Sequence, residues 1–282
     1  MYRPTGPLTI RNMQREEVDL TMDWADHEGW NPGLHDAEAF FTSDPHGFFA
    51  GEIAGEMVAS ASLVKYPGDL SFAGLLIVRK DMRGQGIGSK MIEHLLSLGR
   101  CRNIGGDGVA AMLPTYEQKG FRFAYWNHRF QGWGGGEAPK DLVNASELPF
   151  EDLVHYDRTI FQAPRNPFLK AFLAQGDQTS LAAMKDGEIV GYGSIRRCRT
   201  GHKVGPLFAE DRRTAEKVLR GLMATVPGEQ FFLDVPEPNA EGMVLVQDLW
   251  MTEVFRTARI YTKLAPSVPL SKVFGVTSFE LG

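Results

Sequence analysis

Apolar and polar positions alternate along this chain with two different periods, and the switches between them mark its elements. Leu8 to Met13 reads as a short first strand. Val18, Leu20 and Trp24 share one helical face and predict a helix over Glu16 to His27. Gly29-Trp30-Asn31-Pro32-Gly33 reads as a turn, and Asp36 as the cap of a second helix from Ala37 to Thr42. Phe48 to Ile53 and Met57 to Val64 predict a hairpin closed at Ala54-Gly55-Glu56, with Leu70 to Val78 pairing next. Within that strand Phe72 to Val78 is apolar and bounded by charge, as a buried strand is. Beyond it Ile87, Met91, Ile92, Leu95 and Leu96 recur at helical spacing.

Between this strand and this helix stand Arg83, Gly86 and Gly88, as R-x-x-G-x-G. Glycines there let backbone N–H groups converge on one point. The first N–H groups of a helix lack internal partners and carry the positive end of its dipole. Such a loop suits a phosphate or pyrophosphate, and it also suits a plain tight turn. It is not a Walker loop, because Ser89-Lys90 follows Gly88 where Lys-Ser/Thr is needed. Nor do residues 84–89 meet the dinucleotide fingerprint.

A second motif follows the apolar run Val109 to Leu113. Thr115 to Phe121 reads TYEQKGF, a Y-x-x-x-G-F about 30 residues beyond the glycine loop. The two motifs, in this order and in these elements, resemble the GNAT superfamily of acetyl-coenzyme A dependent N-acetyltransferases, and in particular members built from two tandem domains. The resemblance implies an α/β (α+β) fold of two GNAT-like domains, each a mixed, mostly antiparallel sheet flanked by helices. We expect an acetyl-CoA-binding domain over 1–133, a linker over 134–145 containing Gly134-Gly135-Gly136-Glu137-Ala138-Pro139, and a degenerate GNAT-like domain over 146–282.

The same resemblance assigns roles. The Leu75–Val78 strand is expected to splay from the next strand near Val109, so that the main chain of Leu76, Ile77 and Val78 binds the pantetheine arm. Arg83, Gly84, Gln85, Gly86, Ile87, Gly88 and Ser89 are expected to hold the pyrophosphate. Tyr116 is expected to protonate the departing thiolate as general acid, the alternative being that it packs on the cofactor arm. Trp24, Trp30 and His35 are expected on the acceptor wall, with Asn127 projecting toward it from an aromatic strand pair over Phe121 to Trp133. Large aromatics such as Trp24 and Trp30 are equally at home in a core. The strand Phe72 to Val78 contains no acid to serve as base. Asp26, Glu28, Asp36 and Asp107 are sources that spacing cannot separate, and a water relay or a desolvated amine is an alternative to all four.

The second half repeats the pattern. Gly55-Glu56-Met57-Val58 with Ser62 matches Gly187-Glu188-Ile189-Val190 with Ser194, 132 residues later (187 minus 55). Helices are predicted at Leu148 to Thr159, Pro167 to Ala174 and Thr214 to Met223, a hairpin over Leu181 to Arg196 and a strand over Val204 to Ala209. Aligning the helices puts Gly86 opposite Arg213 and Gly88 opposite Ala215, so the second loop, GPLFAEDRRTA, has lost its glycines. Side chains there block the close approach of a phosphate. Asn239 reads as a helix cap after Asp234 and Glu237, and the apolar tail VFGVTSFELG is expected to dock on a domain.

Composition narrows the function. With 282 residues, 43% of them hydrophobic, and a net charge of −5, the chain is large enough for two cores and unsuited to a nucleic-acid backbone. Two cysteines and scattered histidines give neither a disulfide framework nor a metal site, so no metal is expected. No apolar run approaches 18 residues and no signal-peptide core stands at the N-terminus, so a cytoplasmic protein without membrane contact is expected. The expected reaction moves acetyl from acetyl-CoA, as cosubstrate, to the primary amine of a small molecule. A non-catalytic acetyl-CoA sensor and a protein N-acetyltransferase are the alternatives, and a homodimer is one admissible assembly.

Overall fold

The computed structural model describes residues 3–161 and 163–282. The first half contains β1 (Thr9–Asn12), α1 (Arg15–His27), α2 (Asp36–Ser43), β2 (Phe48–Ile53), β3 (Glu56–Lys65), β4 (Leu70–Val78), α3 (Ile87–Leu98), β5 (Asn103–Val109), α4 (Leu113–Gln118) and β6 (Arg122–Trp133). The second contains β7 (Leu142–Asn144), α5 (Phe150–Phe161), α6 (Asn166–Leu173), β8 (Gln178–Lys185), β9 (Glu188–Arg197), β10 (His202–Ala209), α7 (Arg212–Ala224), β11 (Gln230–Pro236), α8 (Ala240–Asp248), β12 (Thr252–Tyr261) and β13 (Val273–Gly275). Each half is a mostly antiparallel sheet with helices packed on it. The parallel pairs are β4 with β5 and β10 with β11.

The helix starts have local causes. The Gln14 amide donates to the Glu17 carboxylate at 2.8 Å, closing a capping box on α1. Asp36 is the first residue of α2 rather than its cap; His35 holds the cap position. The Asp36 carboxylate instead accepts from the Gly33 amide and pairs with Arg196. The segment from Phe121 to Trp133 is not a strand pair. Residues 122–133 form one unbroken strand, because both of its edges find partners.

Those partners are the main departure from a simple tandem. The strand order is β1-β2-β3-β4-β5-β12-β6-β11-β10-β9-β8-β7, with β13 added on β10. β12, from the second half, lies against β5 of the first, and β6, from the first half, lies against β11 of the second. The halves thus exchange their final strands and share one continuous sheet. Within the stretch expected as a linker, Gly134 donates to the Glu229 carbonyl and Leu142–Asn144 become β7 on β8.

Each exchanged strand carries an arginine directly opposite an aspartate. Arg259 on β12 faces Asp107 on β5 and holds it at 2.7 and 3.0 Å. Arg129 on β6 faces Asp234 on β11 at 2.7 and 2.8 Å. A third buried pair, Arg196 on β9 with Asp36 on α2, also crosses between halves. All three are two-pronged, which satisfies several polar atoms at once in a region closed to water. In each case burial alone would push the arginine down, and the facing carboxylate outweighs it and holds the guanidinium above its ordinary value.

Removing one member strands the other charge where water cannot reach it. Asp234→Ala is therefore expected to destabilise the protein by roughly 3–5 kcal/mol. Urea unfolding followed by circular dichroism measures this, and a loss below about 1 kcal/mol, the worth of a surface pair, would show that the exchanged strands are held by packing alone.

Candidate active site

The site begins with a kink in β4. Leu75 has φ +50°, in the left-handed region, and the β3–β4 register slips between the pairs Ser60↔Ile77 and Ser62↔Gly74. This is a β-bulge. The Ser60 hydroxyl donates to the Leu75 carbonyl at 2.8 Å and satisfies the group that the bulge displaces. Beyond it β4 turns away from β5: their pairing runs from Leu70↔Asn103 to Ala73↔Gly106 and stops. On that side the β4 backbone past Gly74 has no strand partner among the described residues. Buried backbone groups need one.

The gap opens into a cleft of about 550 Å³, within the range usual for small-molecule sites. Leu76, Ile77 and Val78 line it, as do Arg83, Gly84, Gly86, Ile87, Gly88 and Ser89. Gly84 and Gly86 have φ +79° and +76°, which other residues reach only with strain. They turn the chain so that α3 starts facing the cleft. Gly86 is its N-cap and supplies no side-chain cap, so the first amides of α3 are left for another acceptor. Gln85 is not part of the cleft lining; its amide nitrogen lies 4.0 Å from the Met82 sulfur. Arg83 folds back, donating to the Val78 carbonyl at 2.9 Å and to Glu28 at 2.6 Å. It ties the end of β4 to the end of α1.

Tyr116 on α4 lines the cleft from the β5 side. Its ring lies on Gly108, where a Cβ would come within 2.5 Å of it, so glycine in β5 makes room for the tyrosine. Desolvation holds its hydroxyl above the ordinary phenol value, and it therefore keeps its proton at neutral pH. No hydrogen bond binds that hydroxyl among the described residues.

The expected acceptor wall is only partly assembled. Trp30 lines the cleft, and its carbonyl accepts from Arg129 and Lys203. Trp24 lines an adjoining hollow with Ile77, Val78 and Arg83. His35 is exposed and sits 3.3 Å from Asp177, away from the cleft. Asn127 is buried behind it, donating to Asp107. The carboxylates considered as bases are largely engaged: Asp107 by Arg259 and Asn127, Asp36 by Arg196, Glu28 by Arg83.

Five lining residues come from the second half: Phe255, Thr257 and Ile260 on β12, and Phe279 and Glu280 in the tail. Sequence reasoning places none of them here, because the strand exchange carries them across. The faint signal is an acid, Glu280, within an apolar tail.

The equivalent gap in the second half is filled. β10 and β11 pair only from His202↔Phe231 to Val204↔Leu233. β13 then pairs with β10, and the Val276 amide donates to the Asp234 carbonyl at 2.9 Å, occupying the space between the strands. At the start of α7 the Asp211 carboxylate accepts from the Thr214 amide at 2.8 Å. The chain's own strand and own anion stand where a ligand's would be needed.

Known proteins share this architecture. The acetyltransferase (GNAT) family model matches residues 11–121, and a second acetyltransferase (GNAT) domain model matches residues 153–275. Holothin acyltransferase from a Pseudoalteromonas species is 30% identical over 97% of this chain and 94% of its own. A putative acetyltransferase from Pyrococcus horikoshii superposes with a TM-score of 0.84 at 20% identity, covering 98% of this chain and 96% of that one. A tandem GNAT protein from the clavulanic acid biosynthesis pathway superposes at 0.64 with 14% identity, covering 92% of this chain and 100% of that one. The full-length relative, the two domain matches and the opened β4–β5 pair with its glycine loop agree: the chain belongs to the GNAT superfamily, as a tandem-domain acyltransferase.

Proposed function

We propose that the protein transfers acetyl from acetyl-CoA to the primary amine of a small molecule by direct attack, in the first-half cleft. One observation carries this reading: the unpaired β4 backbone, the glycine-loop amides and the Tyr116 hydroxyl all border one cavity. The residues fit the cosubstrate. The free edge of β4 offers amide-like partners to a pantetheine arm, and the start of α3 offers its amides to a diphosphate. Bound there, acetyl-CoA supplies a thioester-activated acetyl group.

The chain's residues then divide the work. Amides of the splayed strand, Ile77 among them, polarise the carbonyl under attack. Tyr116 delivers its proton to the departing sulfur. Its raised pKa suits this, since a phenol that stays protonated remains a donor. The two halves wall the cleft on both sides, which favours a small acceptor over a protein segment. The acyl transfer implied by the name of the holothin relative supports the same chemistry. The second-half gap, filled by β13 and capped by Asp211, takes no part in cofactor binding.

The sensor alternative draws on the acid-free β4 and on the engaged Asp36 and Asp107. Calorimetry with acetyl-CoA and a thiol-release assay over a primary-amine panel separate the two. Uptake with release for at least one amine is expected, and uptake without release for any amine supports the sensor.

Two substitutions address the machinery. At Gly86 any other residue must adopt a left-handed conformation costing about 1–2 kcal/mol, so Gly86→Val is expected to weaken acetyl-CoA binding roughly tenfold or more. An unchanged dissociation constant counts against the loop assignment. Tyr116→Phe is expected to lower kcat by about 10²–10⁴, the usual worth of a proton donor, while acetyl-CoA affinity is retained. An unaltered rate removes Tyr116 as the acid.

A further inference from the structure

Three acidic residues line the cleft: Glu28, Asp107 and Glu280. Glu28 is bound to Arg83, and Asp107 is held by Arg259 and Asn127. Glu280 is different. It is 3% exposed, and among the described residues no side chain donates to its carboxylate. Its own backbone amide is its hydrogen-bond donor, and a buried carboxylate with no side-chain partner is costly. Such a group suggests a partner that arrives from outside.

Its placement is specific. The segment after β13 leaves the second half and crosses to β4. There the Glu280 carbonyl lies so close that a Cβ on Gly74 would come within 2.3 Å of it. Gly74 immediately precedes the Leu75 bulge, so Glu280 meets β4 where that strand leaves β5. Both flanks of Glu280 are anchored. The Phe279 ring lies 4.8 Å beneath the Arg129 guanidinium. The Leu281 carbonyl accepts from the Tyr66 hydroxyl at 2.8 Å, and Leu281 is fully buried. The Leu281 amide donates to the Ser278 hydroxyl at 3.1 Å, closing the turn. Neighbours fixed in this way hold the backbone of Glu280 in place before any ligand binds.

The charged groups facing Glu280 are Lys203 on β10, Arg129 on β6, Arg196 on β9 and Asp36 on α2. Arg129 and Asp36 already have full partners in Asp234 and Arg196. Lys203 is buried, with the Trp30 carbonyl as its hydrogen-bond acceptor, and burial holds its pKa below the ordinary lysine value. Burial dominates over these cations at Glu280, so its carboxyl is held above the usual carboxylate range.

We propose that Glu280 is the general base of the first-half site, receiving the acceptor as its ammonium ion and removing one of its protons. This rests on the acetyltransferase reading above and supplies the base that β4 lacks. The step balances. The ammonium gives one proton to Glu280, and the freed nitrogen lone pair forms the C–N bond to the acetyl carbon. The C–S bond breaks, and Tyr116 protonates the sulfur. The second N–H proton leaves through solvent and restores the Tyr116 hydroxyl, and Glu280 releases its own proton to water. One ammonium and one thioester yield one amide, one thiol and one proton. The sign of the pH effect follows. Protonated Glu280 cannot accept, so the rate climbs as pH rises through its elevated pKa.

The test compares wild type, Glu280→Gln and Glu280→Asp, using acetyl-CoA and whichever of butylamine, benzylamine and tyramine wild type acetylates fastest. Calorimetry with acetyl-CoA is read first. Equal dissociation constants in all three proteins are expected and show that the fold and the cofactor site are intact. In Glu280→Gln, kcat/KM is expected to fall about 10²–10⁴-fold and the acid limb of its pH profile to vanish. Glu280→Asp retains a carboxylate, so it is expected to be slower than wild type with the acid limb present. Carboxyl ¹³C NMR of the free protein reads the residue without turnover. One resonance titrating above the usual carboxylate range, and absent from Glu280→Gln, is expected. Wild-type rate and pH profile in Glu280→Gln, or no such resonance, overturns the assignment while leaving the acetyltransferase reading standing. Absence of thiol release by wild type overturns both.

Discussion

Unpaired backbone governs this molecule. A β-bulge at Leu75 turns β4 away from β5, and the hydrogen-bonding groups exposed by that divergence must be satisfied. The second half meets the same constraint where β10 leaves β11. There the chain supplies its own answer: β13 fills the gap, and Asp211 caps the helix that a glycine loop would otherwise present to an anion. In the first half the gap stays open, the glycines remain, and a cleft results. Two copies of one fold thus meet one physical problem in two ways, by self-pairing and by keeping the groups available to a ligand.

The strand exchange makes the second half part of the first-half cleft. β12 lies between β5 and β6, so the wall of that cleft cannot be completed by the first half alone. Phe255 and Thr257 reach the cleft on that strand, and the tail that leaves β13 brings Phe279 and Glu280. The register pairs of Arg259 with Asp107 and Arg129 with Asp234 repeat the same device on both sides of the central β12–β6 pair. Buried, two-pronged pairs fix register better than apolar contacts do, because a slip of one residue would leave four charges unmatched. Alignment of the exchanged strands and alignment of the cleft are therefore one property.

Much of the first half was legible in order along the chain. Phe72 to Val78 and the helix from Ile87 stand where their periodicity predicts, and the glycine loop lies between them because glycine takes the left-handed turns at 84 and 86 without strain. Local physics sufficed there. It failed where packing replaced pattern. β5 reads NIGGDGV, which no apolar period marks, because its glycines are cover for the rings of Tyr261 and Tyr116. Residues 122–133 look like a hairpin by their mixture of aromatic and polar residues, yet run straight, since the exchanged strands pair both edges.

The sequence by itself determined the family, the two-copy organisation, the glycine loop and the loss of that loop in the second copy. These depend on residues near one another in the chain, where backbone conformation and spacing act directly. Tertiary structure alone decided which carboxylates are spent in ion pairs, that His35 and Asn127 lie off the cleft, and that Glu280 lies on it. Most of those outcomes join residues more than 100 positions apart or depend on which buried charge finds a partner. Composition and periodicity carry no record of either.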